Sequence, residues 1–121
     1  MAQSNKIFDL AKRTYTFARD VRKFARRVPK DVCNIEDVKQ LVKSSGSVGA
    51  NYIEANEALS RKDFFYRIKV CRKESKESAY WLRLLYLFDK KDLNEIRTQL
   101  IDEAEEMIKI FSSIAKSQKA S

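Results

Sequence analysis

Apolar residues recur along most of the chain every three or four positions, a spacing that places their side chains on one face of an α-helix. The first such stretch runs from about residue 4 to residue 28. It ends before Pro29, because a proline disfavours helical geometry in the residue that precedes it. The predicted inner face of this helix consists of Ile7, Leu10, Ala11, Thr14, Ala18, Val21, Ala25 and Val28.

Three further stretches with the same period predict helices at about residues 35–58, 61–88 and 92–116. No segment alternates between apolar and polar residues over a length that would predict a strand. Four helices joined by short connections predict an all-α, up-down-up-down antiparallel four-helix bundle, with one domain over residues 1–121.

The residues at the predicted helix starts agree with this division. Asn34 and Asp92 stand where N-capping residues are expected for the second and fourth helices. Ser60 and Asp63 have the form of a capping box at the start of the third helix, with Asp in place of the more usual Glu or Gln. Each start is therefore marked by a residue that can accept a hydrogen bond from a free backbone N–H.

The middle of the second helix is unusual, because residues 44–50 read Ser-Ser-Gly-Ser-Val-Gly-Ala. Glycine costs a helix about 1 kcal/mol relative to alanine, so two of them weaken the helix unless close packing compensates. One interpretation is a continuous helix that another backbone approaches closely, and helical periodicity on both sides favours it. The other interpretation, a loop that splits the helix, stays open at this point.

Composition favours the same class of protein. Only two glycines and one proline occur, and 44% of the residues are hydrophobic and 35% charged, which is typical of a globular chain rich in long helices. No apolar run approaches the length of about 18 residues that a membrane-spanning helix needs. The N-terminal residues have no uninterrupted apolar segment of the kind found in signal peptides. We therefore expect a cytoplasmic protein whose two cysteines, Cys33 and Cys71, lie in a reducing compartment.

The chain contains no histidine, which removes Ser-His-Asp and Cys-His nucleophile systems and the Glu-x-x-His ligands of di-iron bundles. The two cysteines are too far apart in sequence to predict a zinc site. The segment from Gly46 to Gly49 lacks the Gly-Lys-Ser/Thr ending of a phosphate-binding loop. We therefore predict a protein that is not an enzyme and that has no metal and no cofactor.

Two pairs of glutamates have the i, i+3 spacing that places both carboxylates on one helix face, Glu54 with Glu57 and Glu74 with Glu77. Acid-base or metal chemistry is one interpretation of such pairs. Ion pairs with nearby arginines are the other, and this second interpretation is favoured because no other type of metal ligand accompanies them.

The formal net charge of +8 is concentrated in two of the four helices. Residues 1–28 carry eight lysines and arginines against two acidic residues, and residues 60–88 carry eight against three. On the first helix the cations form a stripe opposite the apolar face that consists of Lys12, Arg19, Lys23 and Arg26. The corresponding stripe on the third helix, which continues to Arg83, consists of Lys62, Lys69, Lys73 and Lys76.

Two aromatic residues, Tyr66 and Tyr80, lie within the stripe of the third helix. Single-stranded nucleic acid binds such surfaces, because cations contact the phosphates and aromatic rings stack on the bases. The stripes therefore predict binding to RNA or DNA. Two other interpretations remain open: solvated faces that also complement the acidic second and fourth helices, and a surface for an acidic protein partner.

The centre of the chain resembles the four-helix-bundle protein family encoded in intervening sequences of 23S ribosomal RNA genes. The resemblance covers about residues 40–85, while the first and last helices agree only in length and pattern. The residues that carry it are Gln40-Leu41, Ser44-Ser45, Ser47–Ala55, Ser60–Phe64, Lys73–Glu77 and Tyr80–Leu82.

The resemblance implies that the bundle assembles into a homopentameric barrel. The chain is also similar to the accessory variability protein of diversity-generating retroelements, a basic pentamer that binds nucleic acid and a reverse transcriptase. For an oligomer of this kind we select Val70, Trp81 and Phe88 as the interface between protomers. The family-like polar residues are expected to form a structural network with nearby arginines, and its members are Ser45, Asn51, Glu54, Asp63 and Glu74.

Two hypotheses result. The first is a non-enzymatic, oligomeric protein that binds RNA or DNA and assists a retroelement reverse transcriptase. The second is a protein-interaction scaffold whose basic charge is incidental.

Overall fold

The computed structural model describes residues 9–119. Four α-helices follow one another in this range: α1 (Leu10–Ala25), α2 (Val32–Asn56), α3 (Arg61–Leu84) and α4 (Lys91–Lys116). No strand occurs among the described residues. Each helix packs against the next one in sequence, and α4 also packs against α1. The prediction of an all-α protein of four helices is confirmed for these residues, and residues 4–8 of the first predicted helix, with Ile7 of its inner face, lie outside them.

The helix starts only partly follow the predicted caps. Ser60 caps α3 as predicted, since its hydroxyl accepts a hydrogen bond of 3.0 Å from the backbone N–H of Asp63. The cap of α2 is Asp31, whose carboxylate accepts a bond of 2.7 Å from the backbone N–H of Asn34, so the prediction that Asn34 is the cap was wrong. Asp92 is likewise not a cap: it lies in the first turn of α4, where a negative charge is favourable.

Helix α2 continues without a break through the cluster of small residues, so the loop interpretation is excluded. The two glycines in it face α1 closely. A Cβ atom added to Gly49 would lie 3.2 Å from the Oγ1 of Thr14, and one added to Gly46 would lie 3.1 Å from a guanidinium nitrogen of Arg22. Their absent side chains therefore permit α1 to approach α2, as the first interpretation predicted.

The buried face of α1 is rotated from the predicted one. Phe17 and Phe24 are 2% and 1% exposed, whereas the predicted Ala11 is exposed. The alanines were selected only for their spacing, but burial of a phenylalanine ring removes far more apolar surface from water. The helix also ends at Ala25 rather than residue 28, and a turn precedes Pro29.

Helix α3 ends at Leu84, four residues before the predicted end. Its last carbonyl groups are held by side chains from other elements. The Arg97 guanidinium donates hydrogen bonds of 3.3 Å to the carbonyl of Leu82 and 2.5 Å to that of Leu85. The chain then reverses through Phe88 and Asp89, whose φ angles of 53° and 59° lie in the left-handed region that residues other than glycine rarely adopt.

Two contacts between helices differ in how closely they are packed. At the α2–α3 contact, small polar side chains are fully buried: Ser44 and Ser78 share a hydrogen bond of 2.9 Å, and Ser75 bonds to the carbonyl of Cys71 at 2.8 Å. At the α1–α4 contact, a cavity of about 510 Å³ lies over apolar residues that include Phe17, Phe24 and Leu100. The first contact is thus closely packed and the second is open.

Candidate nucleic-acid interface

The outer side of α1 carries a shallow basic depression of about 290 Å³. It is lined by Tyr15, Ala18, Arg19, Arg22, Lys23 and Arg26. Tyr15, Arg19, Arg22 and Arg26 are spaced three or four positions apart, which places them along one face of the helix. No acidic residue lines the depression, and the ring of Tyr15 projects into solvent with 68% of its surface exposed.

Three of the four predicted α1 cations, Arg19, Lys23 and Arg26, line this depression, and the fourth, Lys12, is exposed outside it. The sequence reasoning missed Tyr15 and Arg22. Arg22 is half-buried and donates to the carbonyls of Ala18 at 3.0 Å and Val42 at 3.4 Å. These bonds hold its guanidinium between α1 and α2, where it contributes a fixed positive charge to the depression.

Other basic residues pair with carboxylates of α4. Arg13 makes a bidentate ion pair with Glu103, with distances of 2.6 and 3.0 Å, which raises the pKa of Arg13. The Arg27 guanidinium donates to Asp92 and lowers the pKa of that carboxyl group. Arg83 pairs with Glu105 at 3.3 Å. Part of the basic charge is therefore internal complementarity, as one of the alternative interpretations expected.

The two predicted stripes differ from these paired arginines. Apart from Arg83 at the end of the α3 stripe, none of the predicted stripe cations forms an ion pair with a carboxylate of another helix within residues 9–119. Arg19 has a weak contact of 3.4 Å with its neighbour Asp20 on the same helix. All eight predicted cations are exposed, so their charges face solvent rather than the bundle.

The α3 stripe contains two exposed rings, as the sequence indicated. Tyr66 and Tyr80 are 58% and 56% exposed. The guanidinium carbon of Arg67 lies 5.5 Å from the centre of the Tyr66 ring, and Tyr80 makes an edge contact with Trp81 at 5.0 Å between ring centres. Both rings are thus held at the surface by a neighbouring side chain and keep much of their area open to solvent.

The structure does not bring the two stripes together. Helix α1 packs mainly on α2 and α4, and α3 packs on the same two helices from the other side. The cations that each helix presents outward, Lys12–Arg26 on α1 and Lys62–Lys76 on α3, consequently lie on separate faces of the bundle. Two separate basic surfaces are present rather than one.

The residues predicted for a protomer interface are exposed to very different degrees. Val70 and Trp81 are half-buried, and Trp81 packs against the core of this same chain. Phe88 is 47% exposed and its ring centre lies 4.3 Å from that of Tyr86, which is 58% exposed. The sequence reasoning missed Tyr86 because the predicted helix continued through it.

The five residues of the predicted polar network do not form one network. Asn51 accepts a hydrogen bond of 3.0 Å from Arg67, which is the predicted type of contact. Glu54 and Asp63 are exposed, and the buried hydroxyl of Ser45 bonds within its own helix to the carbonyl of Val42 at 3.2 Å. Burial and the neighbouring Glu77 raise the pKa of Glu74.

The described residues include no group of three or more cysteine or acidic side chains arranged to hold a metal ion. Cys33 is exposed, whereas Cys71 is buried and donates to the carbonyl of Val48 at 3.4 Å. Burial raises the pKa of the Cys71 thiol to about 12, so it remains protonated and unreactive near neutral pH. None of the helices in the described range is long and apolar enough to cross a membrane.

Comparisons with known proteins agree on the family. No curated protein matches the chain. Among solved structures, it is similar to a protein of unknown function from the S23 ribosomal protein family of Bacteroides thetaiotaomicron VPI-5482, at 29% sequence identity and a TM-score of 0.70. That alignment covers 88% of this chain and 98% of the other. Residues 6–113 match the model of the 23S rRNA-intervening sequence protein family, and the chain therefore belongs to this family.

Proposed function

We propose that this chain is a non-enzymatic protein that binds RNA or DNA and works as an oligomer of four-helix bundles. The observation that carries the proposal is the basic depression on α1. Four cations and an exposed tyrosine line it without any acidic residue. Phosphates would contact the cations, and an unpaired base would stack on the ring of Tyr15.

The contrast with the paired arginines supports this proposal. If the charge of α1 served only to complement α4, its cations would be expected to face carboxylates, as Arg13 and Arg27 do. Arg19, Lys23 and Arg26 instead remain exposed at the surface and form no ion pair with a carboxylate of α4, although Lys23 also borders the α1–α4 cavity. Cations concentrated in this way raise the local potential and attract polyanions.

Binding of a labelled oligonucleotide at increasing salt concentration tests the proposal. In an α1-neutral variant, the four stripe cations are replaced by glutamine, as Lys12→Gln, Arg19→Gln, Lys23→Gln and Arg26→Gln. If all four contact phosphates, the slope of log K against log salt should decrease in magnitude by about 0.7 for each cation removed. RNA and DNA strands should respond alike, because backbone contacts carry little sequence information.

A matched control removes the same number of charges elsewhere. In the α4-neutral variant the changes are Lys90→Gln, Lys91→Gln, Lys109→Gln and Lys116→Gln, all at exposed positions in α4 or directly before it. Each set of four changes lowers the net charge from +8 to +4. An equal loss of binding in both variants would show that only net charge matters, and no salt-sensitive binding by the unmodified protein would refute the proposal.

For the assembly we propose antiparallel, up-down-up-down bundles joined into a homo-oligomer, with the pentameric barrel of similar proteins as the expected form. The order of the ion pairs supports antiparallel α1 and α4, because Arg13 pairs with Glu103 while the later Arg27 pairs with the earlier Asp92. The exposed rings of Tyr86 and Phe88 supply apolar surface for a contact between protomers.

The change Phe88→Asn tests this contact. Asparagine tolerates positive φ better than phenylalanine does, so the substitution should not destabilise the protomer, while it removes an exposed apolar ring. The expected result is a lower molecular mass in sedimentation at an unchanged melting temperature. An unchanged mass would contradict the assigned contact.

A reverse transcriptase remains a proposed partner that rests on the resemblance to retroelement accessory proteins. A protein-interaction scaffold is the second candidate function, and the exposed apolar residues near the start of α2, Val32 (80%) and Ile35 (44%), favour it. Copurification of a protein partner without nucleic acid, together with a lack of oligonucleotide binding, would support the scaffold over the first proposal.

A further inference from the structure

The two basic stripes occupy separate faces of one small bundle, a placement that a single binding surface would not need. The α1 stripe extends from Lys12 to Arg26 and the α3 stripe from Lys62 to Lys76, each about 21 Å along its helix at 1.5 Å per residue. Each stripe is accompanied by an exposed tyrosine, Tyr15 on α1 and Tyr66 on α3. The faces are thus equivalent in length, charge and chemistry.

Acidic residues separate the two faces. Helix α4 packs between α1 and α3, and its exposed acidic residues include Glu95, Asp102 and Glu105. Helix α2 packs between them on the other side, and residues 35–58 carry four acidic residues, Glu36, Asp37, Glu54 and Glu57, against two lysines, Lys39 and Lys43. A polynucleotide that followed the cations of one face would meet negative charge before it reached the other. One strand is therefore not expected to occupy both faces of the same protomer by a continuous path.

We propose that a single protomer holds two single-stranded nucleic-acid segments at once, one on α1 and one on α3, and thereby bridges strands. This inference rests on the proposed function, because each face must first bind nucleic acid. The activity it adds is strand bridging, which raises the local concentration of one strand near another.

Repulsion between the two bound strands does not prevent this arrangement. With neighbouring helix axes about 8–10 Å apart, the outer surfaces of two diagonal helices are separated by roughly 24 Å. The Debye length at physiological ionic strength is about 8 Å, so backbones at that distance are largely screened from each other. The bundle thus acts as a spacer between two polyanions.

Unpaired strands are the substrate class that the exposed rings favour. Tyr15, Tyr66 and Tyr80 are all more than half exposed, and stacking requires a base whose face is free. A duplex offers its phosphates to the cations but keeps its bases stacked internally. Binding should consequently be tighter for single strands than for a duplex of equal charge.

A capture assay tests bridging directly. Biotinylated oligothymidine of about 20 nucleotides is bound to beads, and fluorescent oligothymidine of the same length is supplied in solution. These strands cannot pair with each other, so only the protein can retain the fluorescent strand. A second arm uses oligouridine, which distinguishes RNA from DNA as the preferred strand.

Three variants of equal net charge are compared with the unmodified protein. They are the α1-neutral variant, the α4-neutral control, and an α3-neutral variant with Lys62→Gln, Lys69→Gln, Lys73→Gln and Lys76→Gln. The unmodified protein and the control should retain the fluorescent strand. The α1-neutral and α3-neutral variants should each still bind one free strand in fluorescence anisotropy. When each also carries Phe88→Asn, which is expected to separate the protomers, retention on the beads should fall at least tenfold relative to Phe88→Asn alone.

The outcomes separate this inference from the proposed function. No binding of a free strand by the unmodified protein would refute both. Binding without retention would refute bridging alone. Retention by either single-face variant that also carries Phe88→Asn would refute it too, because one face of a separate protomer would then suffice; sedimentation at the assay concentration measures whether the protomers are separate.

Discussion

The α2–α3 contact and the α1–α4 contact join helices of the same bundle by opposite means. Between α2 and α3, Ser44, Ser75 and Ser78 are buried at 3% exposure or less, and their hydroxyl groups bond to each other or to helix carbonyls. Between α1 and α4, the ion pair of Arg13 with Glu103 borders an open cavity of about 510 Å³. Close packing thus holds one pair of helices, whereas the other pair meets through apolar residues below an open cavity with an ion pair at its border.

The difference indicates how α1 can pack in the bundle and also present cations to a ligand. A helix that packs through small buried residues cannot take larger side chains on that face, because interiors of native packing density do not tolerate added volume. Helix α1 buries its apolar face in the core but meets α4 across an open cavity with an ion pair at its border. Its outer cations take no part in this packing and remain available for a ligand.

The largest expected effect comes from added volume at the closely packed contact. Ser78→Leu should lower the free energy of unfolding by about 1–3 kcal/mol, because the larger side chain must enter a site with 0% exposure and the hydrogen bond between Ser78 and Ser44 is lost. Thr16→Leu, which enlarges a side chain that lines the α1–α4 cavity, should change it by less than about 0.5 kcal/mol. Urea denaturation measures both.

If Ser78→Leu does not fold, Ser78→Ala is compared with Thr16→Leu instead. It should lower the free energy of unfolding by about 1 kcal/mol, because the hydrogen bond to Ser44 is lost. Equal costs for Ser78→Leu and Thr16→Leu would mean that the two contacts are packed alike, contrary to the distinction drawn above.

An intermediate effect is expected from the ion pair at the open contact. A double-mutant cycle with Arg13→Gln and Glu103→Gln should give a coupling energy of about 1 kcal/mol at low salt, because the pair is bidentate and its side chains are only 19% and 32% exposed. The coupling should decrease as salt is added. The same cycle at Arg83 and Glu105, which are about half exposed, should give a value near zero.

The smallest effect is on the pH dependence of stability, which Asp92 and Glu74 are expected to change in opposite directions. The lowered pKa of Asp92 stabilises the fold above the ordinary value of 3.8, and this stabilisation is lost as the pH falls through the lowered pKa. The raised pKa of Glu74 acts oppositely: stability decreases as the pH rises from 4.5 through the raised pKa. Asp92 is exposed and Glu74 is only partly buried, so the effects are small.

Carboxyl NMR titration resolves the two groups. Arg27→Gln should return the pKa of Asp92 toward its ordinary value, since the arginine hydrogen bond is the main cause of the shift. Glu77→Gln should lower the pKa of Glu74 only in part, because burial is the larger cause there. A full return of the Glu74 pKa in that variant would show repulsion between carboxylates to be dominant.

The sequence predicted those features of the fold that depend on short-range pattern. Four helical periods, the Ser60 cap and the close approach at Gly49 could be predicted because each depends on residues within a few positions or on one residue type. The end of α3 could not be predicted, because it depends on hydrogen bonds from Arg97 in the next helix. Those bonds form only when the two helices pack, and no local sequence pattern indicates them.

The candidate site shows the same division. The cations of α1 could be selected from helical spacing, because a stripe opposite an apolar face must be exposed. Which arginines are neutralised could not be predicted, as the pairing of Arg13 with Glu103 depends on how α1 lies against α4. The role of Asn34 was missed for a similar reason: a residue with good capping chemistry was used for a contact across the molecule.

That use of Asn34 has a consequence for the order of folding events. Its side-chain amide donates to the carbonyls of Pro29 and Tyr86, at 2.9 and 2.8 Å, and accepts from the backbone N–H of Tyr86 at 3.1 Å. Tyr86 is 52 positions away, so the contact closes a long loop that includes most of α2 and all of α3. Loop-closure entropy makes such a contact costly until the enclosed helices have paired. The hydrogen bonds of Asn34 to Tyr86 are therefore expected to form late in folding, and their loss should accelerate unfolding more than it slows folding.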